Sequence, residues 1–209
     1  VMPWWDRSVD VVIATHPDAD HVSGLVDVLQ RYDVSYIFEP GVKHDTPQAE
    51  SMLKSVANES AELILARRGQ IIDLSDGAYI QILFPDRNVN DVETNTASIV
   101  ARLVYGGTSF MLTGDSPLAI EEYLVRLDVK SLQSTVLKAG HHGSRTSSSP
   151  LFVGFVNPVF GVFSRGCDNT YGHPHQEVVG LFKQFEIQAL DTCGGRVTFV
   201  SDGHDVHLK

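Results

Sequence analysis

The chain has 209 residues, of which 43% are hydrophobic and 20% are charged, and it is long enough to bury a substantial core. Its formal net charge of −10 argues against binding of nucleic acid through a broad surface of Lys and Arg, so a phosphate substrate would need a local cation. No apolar run approaches the about 20 residues that cross a bilayer. Cys167 and Cys193 permit one disulfide but form no C-x-x-C zinc motif.

The first half of the chain predicts strands that alternate with helices. Residues 9–14 (VDVVIA) are a short, β-branched apolar run, the pattern of a strand buried on both faces. A polar segment follows, and apolar residues at helical spacing then predict a helix over residues 21–33. A second helix is predicted over residues 46–58, with Thr46 as its N-cap and Pro47 at its first position. Further strands are predicted at residues 34–38, 61–66, 70–74 and 78–84.

The second half continues the same mixture. Residues 86–95 form a polar, turn-rich loop, and two strands at residues 97–104 and 108–113 are then joined as a hairpin. Helices are predicted at residues 118–127, 150–156 and 176–185, and strands at residues 134–139, 159–164, 187–191 and 196–200. Because no internal repeat or linker interrupts this pattern, we expect one layered α/β domain over residues 1–209.

Clusters of His and Asp follow several of the predicted strands. The stretch THPDADHVSG follows the first strand and contains His16, Asp18, Asp20 and His21. Later clusters are Asp115, the pair His141 and His142, and the pair His173 and His175. In α/β sheets ligands gather beyond the carboxyl ends of the strands, so these clusters can converge on one site. Imidazole together with carboxylate is a ligand set for zinc, manganese or iron.

Each cluster also has a structural explanation. Taken alone, Asp18 or Asp20 could cap the helix that follows, and Asp115 could cap a later helix. His141 and His142 would point to opposite faces of an extended strand, so one of them would have a structural role. No role is assigned to three histidines that lack a comparable setting, His44, His204 and His207.

Read jointly, the clusters resemble the signature of the metallo-β-lactamase superfamily. That signature is H-x-H-x-D-H after a strand, a later Asp after another strand, and further histidines near the end. Four segments are more similar still to the soluble hydrolase-like domain of the ComEC family, the DNA-uptake channel proteins of competent bacteria. The segments are THPDADHVSG, NTASIVARLVYGGTSFMLTGD, LKAGHHGSRTSSS and YGHPHQEV, and they stand in the family's order. The resemblance extends from residue 9 to about residue 179.

The resemblance implies an αββα sandwich with two divalent metal ions, zinc or manganese, at its edge. It implies that His16 and Asp18 bind one ion and that Asp20 and His21 bind the other. Asp115 would bridge the two ions. His141 is the best further ligand on this resemblance, and His173 competes with it for the remaining place.

The resemblance also implies roles in the reaction. Asp20, His142 and His173 are the candidate catalytic residues, and either His142 or His173 would protonate the leaving oxygen. Ser144, Lys138 and His175 are the candidate substrate-binding residues. For Lys138 the alternative is a solvated strand lysine.

The sequence departs from the superfamily pattern in three places. Asp18 stands where the general motif has its second histidine, which favours manganese or a weaker first site. Residues 93–95 (ETN) lack a histidine that many members place there, which removes one ligand. Relatives begin with additional strands that this sequence lacks, so we expect a fragment of a longer protein whose sheet is missing N-terminal strands.

The implied activity is metal-assisted hydrolysis of phosphoester bonds. The protein would be a nuclease that cleaves single-stranded DNA during DNA uptake. One alternative is a small-molecule phosphodiesterase of the same superfamily, which the acidic composition favours. Another is a degenerate, metal-free module that binds DNA or a partner subunit, which the missing ligand favours. The resemblance further implies attachment to a membrane channel protein and an extracytoplasmic location, for a chain that is itself expected to be soluble.

Overall fold

The computed structural model describes residues 2–43, 46–58 and 61–209; His44 lies outside the described residues. The first sheet consists of β1 (Ser8–Ile13), β2 (Asp33–Glu39) and β3 (Glu62–Leu65). These strands are parallel and lie in the order β1-β2-β3. Helices α1 (Ala19–Leu29) and α2 (Pro47–Asn58) cover the outer face of this sheet.

The capping pattern predicted for α2 is confirmed. Thr46 Oγ1 accepts a hydrogen bond from Ala49 N at 3.3 Å, and Pro47 is the first helical residue. The buried face of α2 presents Met52 and Val56 to the core that also contains Ile37 of β2. Burial of this apolar stripe fixes the helix against the sheet.

The second sheet is larger and mixed. Its strands are β4 (Ile71–Asp73), β5 (Ala78–Phe84), β6 (Val100–Tyr105), β7 (Thr108–Leu112), β8 (Val136–Lys138), β9 (Phe160–Phe163) and β10 (Gln188–Asp191). They lie in the order β10-β9-β8-β7-β6-β5-β4, antiparallel from β4 to β7 and parallel from β7 to β10. Its outer face is covered by α3 (Leu118–Asp128), α4 (Pro150–Val156) and α5 (Gln176–Gln184). Short 3-10 helices lie at Val129–Ser131, Gly140–Gly143 and Thr192–Gly194.

The two sheets pack face to face. Because successive side chains of a strand point to opposite faces, Ile82 of β5 is buried between the sheets together with Phe38 and Ile99. The next residue, Leu83, belongs to the core under the helices, which also contains Phe152. The order of layers is therefore helices, sheet, sheet, helices, and the predicted αββα fold is confirmed.

The structure differs from the predicted elements mainly at their ends. The strand predicted from residue 97 begins at Val100, because backbone hydrogen bonds hold residues 93–98 in turns. The last predicted strand is shifted to β11 (Phe199–Ser201), and it pairs with the unpredicted β12 (Val206–Leu208). Both His204 and His207 are exposed in this hairpin.

A disulfide joins Cys167 to Cys193 and links the loop after β9 to the short helix Thr192–Gly194. The sequence allowed this bond without predicting it. Within the described ranges, no helix combines the length and the apolar composition that a bilayer crossing requires.

Candidate metal centre

The predicted clusters meet at one edge of the sheets, where several strands end. The segment from Thr15 to His21 follows β1, and Asp115 follows β7. His141 and His142 follow β8, and the loop of residues 164–175 follows β9. Strand ends gather at one edge of an α/β sheet. The Nε2 atoms of His21 and His142 therefore lie 3.2 Å apart, although the two residues are 121 positions apart in the chain.

Thr15 orients the first two histidines. Its Oγ1 lies 3.1 Å from His16 Nδ1 and 3.4 Å from His21 Nδ1. A partner on Nδ1 fixes the rotation of an imidazole and leaves Nε2 as the ligand atom. His16 is 1% exposed, and burial, together with the nearby His21, lowers its pKa to about 4. Its ring is therefore neutral at neutral pH, which is the form that binds a metal ion.

Helix capping does not account for the aspartates of this segment. Asp18 occupies the N-cap position of α1, but its side chain makes no capping hydrogen bond. Its Oδ2 lies 3.8 Å from His16 Nε2, and Asp20 Oδ2 lies 3.7 Å from His21 Nε2. Both carboxylates therefore contact the histidines. The later Asp115 is not a cap either, because Pro117 occupies the N-cap position of α3.

Asp115 lies at the centre of the cluster and is 3% exposed. Its Oδ2 faces the Nε2 atoms of His21 (3.3 Å), His142 (3.4 Å), His141 (3.6 Å) and His16 (3.9 Å). Burial acts to raise the pKa of Asp115, but its contacts with His142 and His21 and the charge of Lys138 outweigh burial and hold the pKa far below its ordinary range. The carboxylate is therefore ionised at neutral pH.

The pair His141 and His142 adopts a conformation that the sequence did not predict. Instead of continuing the strand, both residues have left-handed backbone angles, φ 48° and ψ 50° for His141 and φ 55° and ψ 20° for His142. Such angles are uncommon for residues with a Cβ and are found where the surrounding structure enforces them. As a result both Nε2 atoms face Asp115, and the expectation that the two rings diverge is wrong.

His142 is fixed by a hydrogen bond on its other nitrogen. Its Nδ1 lies 2.6 Å from Ser164 O, and a carbonyl accepts only, so Nδ1 carries the proton and donates it. The Nε2 atom then lies 3.3 Å from Asp20 Oδ2. One ligand atom from each of Asp20, His21, Asp115 and His142 lies within 4.8 Å of the others. His142 thus lies among the candidate ligands, whereas the sequence assigned it to proton transfer.

A second set of side chains also shares Asp115. His16 Nε2 contacts both Asp18 and Asp115, and His141 Nε2 contacts Asp115. Among the described residues, His16 Nε2 and Asp115 Oδ1 are buried without a hydrogen-bond partner, as is Asn95 Oδ1 in the loop that lacks the family's histidine. Buried polar atoms of this kind are rare in folded proteins. Imidazole nitrogens and carboxylate oxygens in this arrangement fit divalent cations, which would satisfy the first two of these atoms.

Lys138 and Ser144 support the cluster, and neither lines the cavity of about 400 Å³ that opens beside it. Lys138 Nζ donates to Gly114 O at 3.3 Å, so this strand lysine is not a solvated one. Burial lowers its pKa, while the carboxylates of Asp115 and Asp20 act in the opposite direction. The hydroxyl of Ser144, which is 4% exposed, lies 3.0 Å from Thr146 Oγ1, and that atom lies 3.3 Å from His141 Nδ1. Hydrogen bonds to the other ring nitrogen of a metal-binding histidine orient its imidazole.

The ring of His173 lies next to the cluster, and the ring of His175 lies beyond that of His173. The ring centroid of His173 is 5.5 Å from that of His141 and 6.3 Å from that of His142. Burial, and then the neighbouring His141 and His175, lower the pKa of His173. His175 occupies the N-cap position of α5, and its Nδ1 accepts a hydrogen bond from Arg145 N at 3.2 Å.

A cavity of about 400 Å³ opens beside the cluster. It is lined by Asp20, His142, Ser164, Arg165, Gly166, Asn169, Tyr171, His173 and Thr192. Sequence reasoning missed Arg165, Asn169 and Tyr171, although the polar, glycine-containing stretch RGCDNTYGHPH between a strand and a helix was a signal for a functional loop. The guanidinium of Arg165 is held by Asp191, with Nη2 2.7 Å and Nε 2.9 Å from Oδ2.

Comparison with known proteins agrees with the fold and the motifs. A family model described as the metallo-beta-lactamase superfamily matches residues 6–155. ComE operon protein 3 of Bacillus subtilis (strain 168) is 29% identical over 186 residues, which are 89% of this chain and 24% of that protein. Competence protein ComA of Neisseria gonorrhoeae is 33% identical over 186 residues, with the same coverage of 89% and 24%. The chain therefore spans about a quarter of the length of these curated relatives.

Among solved structures, CmlA, a diiron beta-hydroxylase from Streptomyces venezuelae, is similar to this chain with a TM-score of 0.59. The match covers 88% of this chain and 44% of that chain at 11% identity, so it bears on the fold alone. The resemblance to ComEC-type competence proteins is confirmed by the curated relatives. Because the family model covers most of its residues, the chain belongs to the metallo-beta-lactamase superfamily.

Proposed function

We propose that the protein is a metal-dependent hydrolase of phosphoester bonds that cleaves DNA, in single-stranded form, during DNA uptake. The observation that carries the proposal is the buried carboxylate of Asp115, which faces the Nε2 atoms of four histidines. The names of two relatives, a ComE operon protein and a competence protein, support a role in DNA uptake. Attachment to a membrane channel and an extracytoplasmic location are part of the same proposal.

Two divalent ions, zinc or manganese, are the proposed cofactors. His16, Asp18 and His141 would hold one ion, Asp20, His21 and His142 would hold the other, and Asp115 would be shared between them. Divalent ions in such sites polarise the phosphoryl oxygens and lower the pKa of water. The second set differs from the sequence-based assignment by the addition of His142, which contacts Asp20 and Asp115.

Two cations of the chain near the site, Lys138 and Arg165, already lie beside carboxylates, so the proposed ions would supply the positive charge that an anionic substrate needs. Lys138 lies beside the carboxylates of Asp115 and Asp20, and the guanidinium of Arg165 is bound by Asp191. With a net charge of −10, the protein would otherwise repel a phosphodiester. We therefore expect binding of a phosphodiester to be lost when the ions are removed.

His173 is the proposed proton-transfer residue. It lines the cavity next to His142, and its lowered pKa leaves its imidazole neutral at neutral pH. A neutral imidazole accepts a proton, so His173 would take a proton from the attacking water. This direction is opposite to the one expected from the sequence. Transfer by a positioned histidine contributes about 10² to 10⁴ in rate.

The test is hydrolysis of a labelled single-stranded oligonucleotide by the protein supplied with Mn²⁺ or Zn²⁺. Asp20→Ala and Asp115→Ala should each lower kcat/KM by roughly 10²-fold or more, because each removes a ligand. Asp27→Ala is the matched control, since Asp27 lies on the same helix and pairs only with the exposed Arg31 among the described residues. Unchanged activity in both Asp20→Ala and Asp115→Ala would overturn the proposal.

A small phosphodiester is the second candidate substrate, and the acidic charge of the chain favours it. The same protein should be assayed with a chromogenic small diester under identical conditions. Faster turnover of the small diester than of the oligonucleotide would favour this second candidate. Asp20→Ala and Asp115→Ala should lower both activities in parallel, because both substrates would use the same metal centre.

A further inference from the structure

Tyr171 is an exposed aromatic residue at the rim of the cavity beside the metal centre. Its side chain is 76% exposed, although its ring lines the same cavity as Asp20 and His142. The ring is stacked on that of His173, with centroids 5.7 Å apart and an interplanar angle of 23°. His173 is in turn stacked on His142, at 6.3 Å and 26°. Near-parallel rings therefore lead from the candidate ligand His142 to the surface.

The loop that carries Tyr171 is held in place on both sides. Asn169 Nδ2 donates to Gly166 O (3.0 Å) and to His173 O (2.9 Å), and Asn169 Oδ1 accepts a hydrogen bond from His173 N (2.9 Å). The disulfide at Cys167 anchors the start of this loop to Cys193. The backbone on both sides of Tyr171 is thus held in place before any ligand binds, which lowers the entropic cost of binding.

The chemistry of this rim fits a flat, uncharged ring. The outer face of Tyr171 is open, and the nearby Arg165 is already paired with Asp191, so the rim offers a stacking surface without an available guanidinium. Stacking on an aromatic side chain is how proteins bind the bases of single-stranded nucleic acid without regard to sequence. In a duplex the bases are stacked on one another, and their faces are not accessible.

We propose that Tyr171, supported by His173, binds an unpaired nucleobase next to the phosphodiester held at the metal centre. This inference rests on the proposed phosphodiesterase function and assigns to Tyr171 the recognition of its single-stranded substrate. Loss of base stacking typically weakens binding by about 5- to 150-fold per base. A substrate without bases gains nothing from Tyr171.

The test compares two labelled strands of equal length, an oligothymidylate and its abasic counterpart, supplied to the protein with Mn²⁺. The wild-type protein should cleave the thymidylate with a kcat/KM about 5- to 150-fold higher. Tyr171→Ala should bring this ratio close to one, and Tyr171→Phe should keep it, because only the ring is needed. Tyr36→Ala is the matched control, since Tyr36 is an exposed tyrosine of β2 that lines a different cavity, and it should keep the wild-type ratio.

The outcomes separate this inference from the proposed function. Cleavage of both strands at equal rates, or a ratio that survives in Tyr171→Ala, would overturn the role of Tyr171 and leave the hydrolase intact. Cleavage of neither strand would overturn the proposed function, and binding of the same strands by fluorescence anisotropy then decides this inference alone. Preferential binding of the thymidylate that is lost in Tyr171→Ala would support it, and equal or undetectable binding of both strands would overturn it.

Discussion

Glu121 is a buried carboxylate that ties α3 to the loop behind the metal centre, and we predict that Glu121→Ala destabilises the fold. The residue is 1% exposed. Its Oε1 accepts a hydrogen bond from Ser148 N (2.8 Å), and its Oε2 accepts one from Ser149 N (2.6 Å). This loop leads from the Gly140–Gly143 turn to α4, so the same contacts support His141 and His142.

The magnitude follows from the two backbone donors. Glu121→Ala leaves both N–H groups buried without an acceptor, at a cost of about 1 to 3 kcal/mol each, so the expected loss in the free energy of unfolding is roughly 2 to 6 kcal/mol. Burial raises the pKa of Glu121 from 4.5 to about 7, against the hydrogen bonds from Ser149 and Ser148. Because the folded pKa is the higher one, the stability that Glu121 contributes is fully present below the unfolded pKa and is lost as the pH rises through the folded value. The loss in the variant should therefore be larger at pH 5 than at pH 8.

The assay is urea unfolding followed by circular dichroism at both pH values, with a chelator present so that metal binding adds nothing to stability. Glu122→Ala is the matched control, because Glu122 lies on the same helix and makes only an exposed pair with Arg126 among the described residues (3.6 Å). Loss of that pair should cost about 0.2 to 0.5 kcal/mol. A loss in Glu121→Ala no larger than in the control would show that the two hydrogen bonds of Glu121 do not stabilise the fold. A loss that grows from pH 5 to pH 8 would contradict the direction of the pKa shift.

The remaining predictions concern the histidine turn, the disulfide and proton release. Gly143→Ala should lower the melting temperature, because φ is +87° and a Cβ there would lie 2.6 Å from a proline Cβ. Gly180→Ala in α5, where no atom lies within 4 Å of the added Cβ, should instead stabilise by about 0.4 to 1 kcal/mol; equal melting temperatures for the two variants would contradict this contrast. Replacement of Cys167 and Cys193 by Ser should lower the free energy of unfolding by roughly 3 to 4 kcal/mol, the chain-entropy value for a disulfide with a sequence separation of 26. A urea midpoint that the replacement leaves unchanged would count against this prediction. Divalent-ion binding should weaken from pH 8 to pH 6, because contact with the Asp115 carboxylate raises the pKa of His142 and a proton then competes with the ion. Calorimetry in buffers of different ionisation enthalpy measures the number of protons released when the ion binds. An equal number released by His142→Ala would show that His142 is not their source.

The sequence predicted those parts of the protein whose signals are local. The apolar run before Thr15 predicts a strand, and β1 forms there and places His16 and His21 at its end. The expected burial on both faces is only partly met, because Val12 alone among residues 8–13 is fully buried. Capping by Thr46 is also local, since the side chain and its partner Ala49 are three residues apart. The αββα order of layers was predicted from the alternation of strands and helices together with the family resemblance.

The conformation of the histidine pair could not be predicted, because distant residues determine it. Gly143 closes the turn, and it is packed so tightly against Pro174 and Phe163 that a Cβ would clash with both. The two histidines before it adopt left-handed angles that their own propensities disfavour. Whether both rings face Asp115 therefore depends on contacts with residues 20 and 31 positions away from Gly143, which the local pattern of a strand does not contain.

The cavity wall was missed for a similar reason. Tyr171 and Arg165 lie in a polar loop whose composition indicates a turn and no particular geometry. Their positions depend on the disulfide to Cys193 and on the ion pair with Asp191, both more than twenty residues farther along the chain. Only the assembled sheet brings these partners together.

Metal content is the most direct test of a two-ion centre around Asp115. The protein, incubated with Mn²⁺ or Zn²⁺ at neutral pH and freed of excess ion, should retain two ions per chain by elemental analysis. Asp115→Asn should lose at least one of them, because Asp115 is shared by both sets of candidate ligands, whereas Asp27→Ala should retain two. Absence of bound metal in the wild-type protein, or equal metal content in Asp115→Asn, would contradict a metal centre at this cluster.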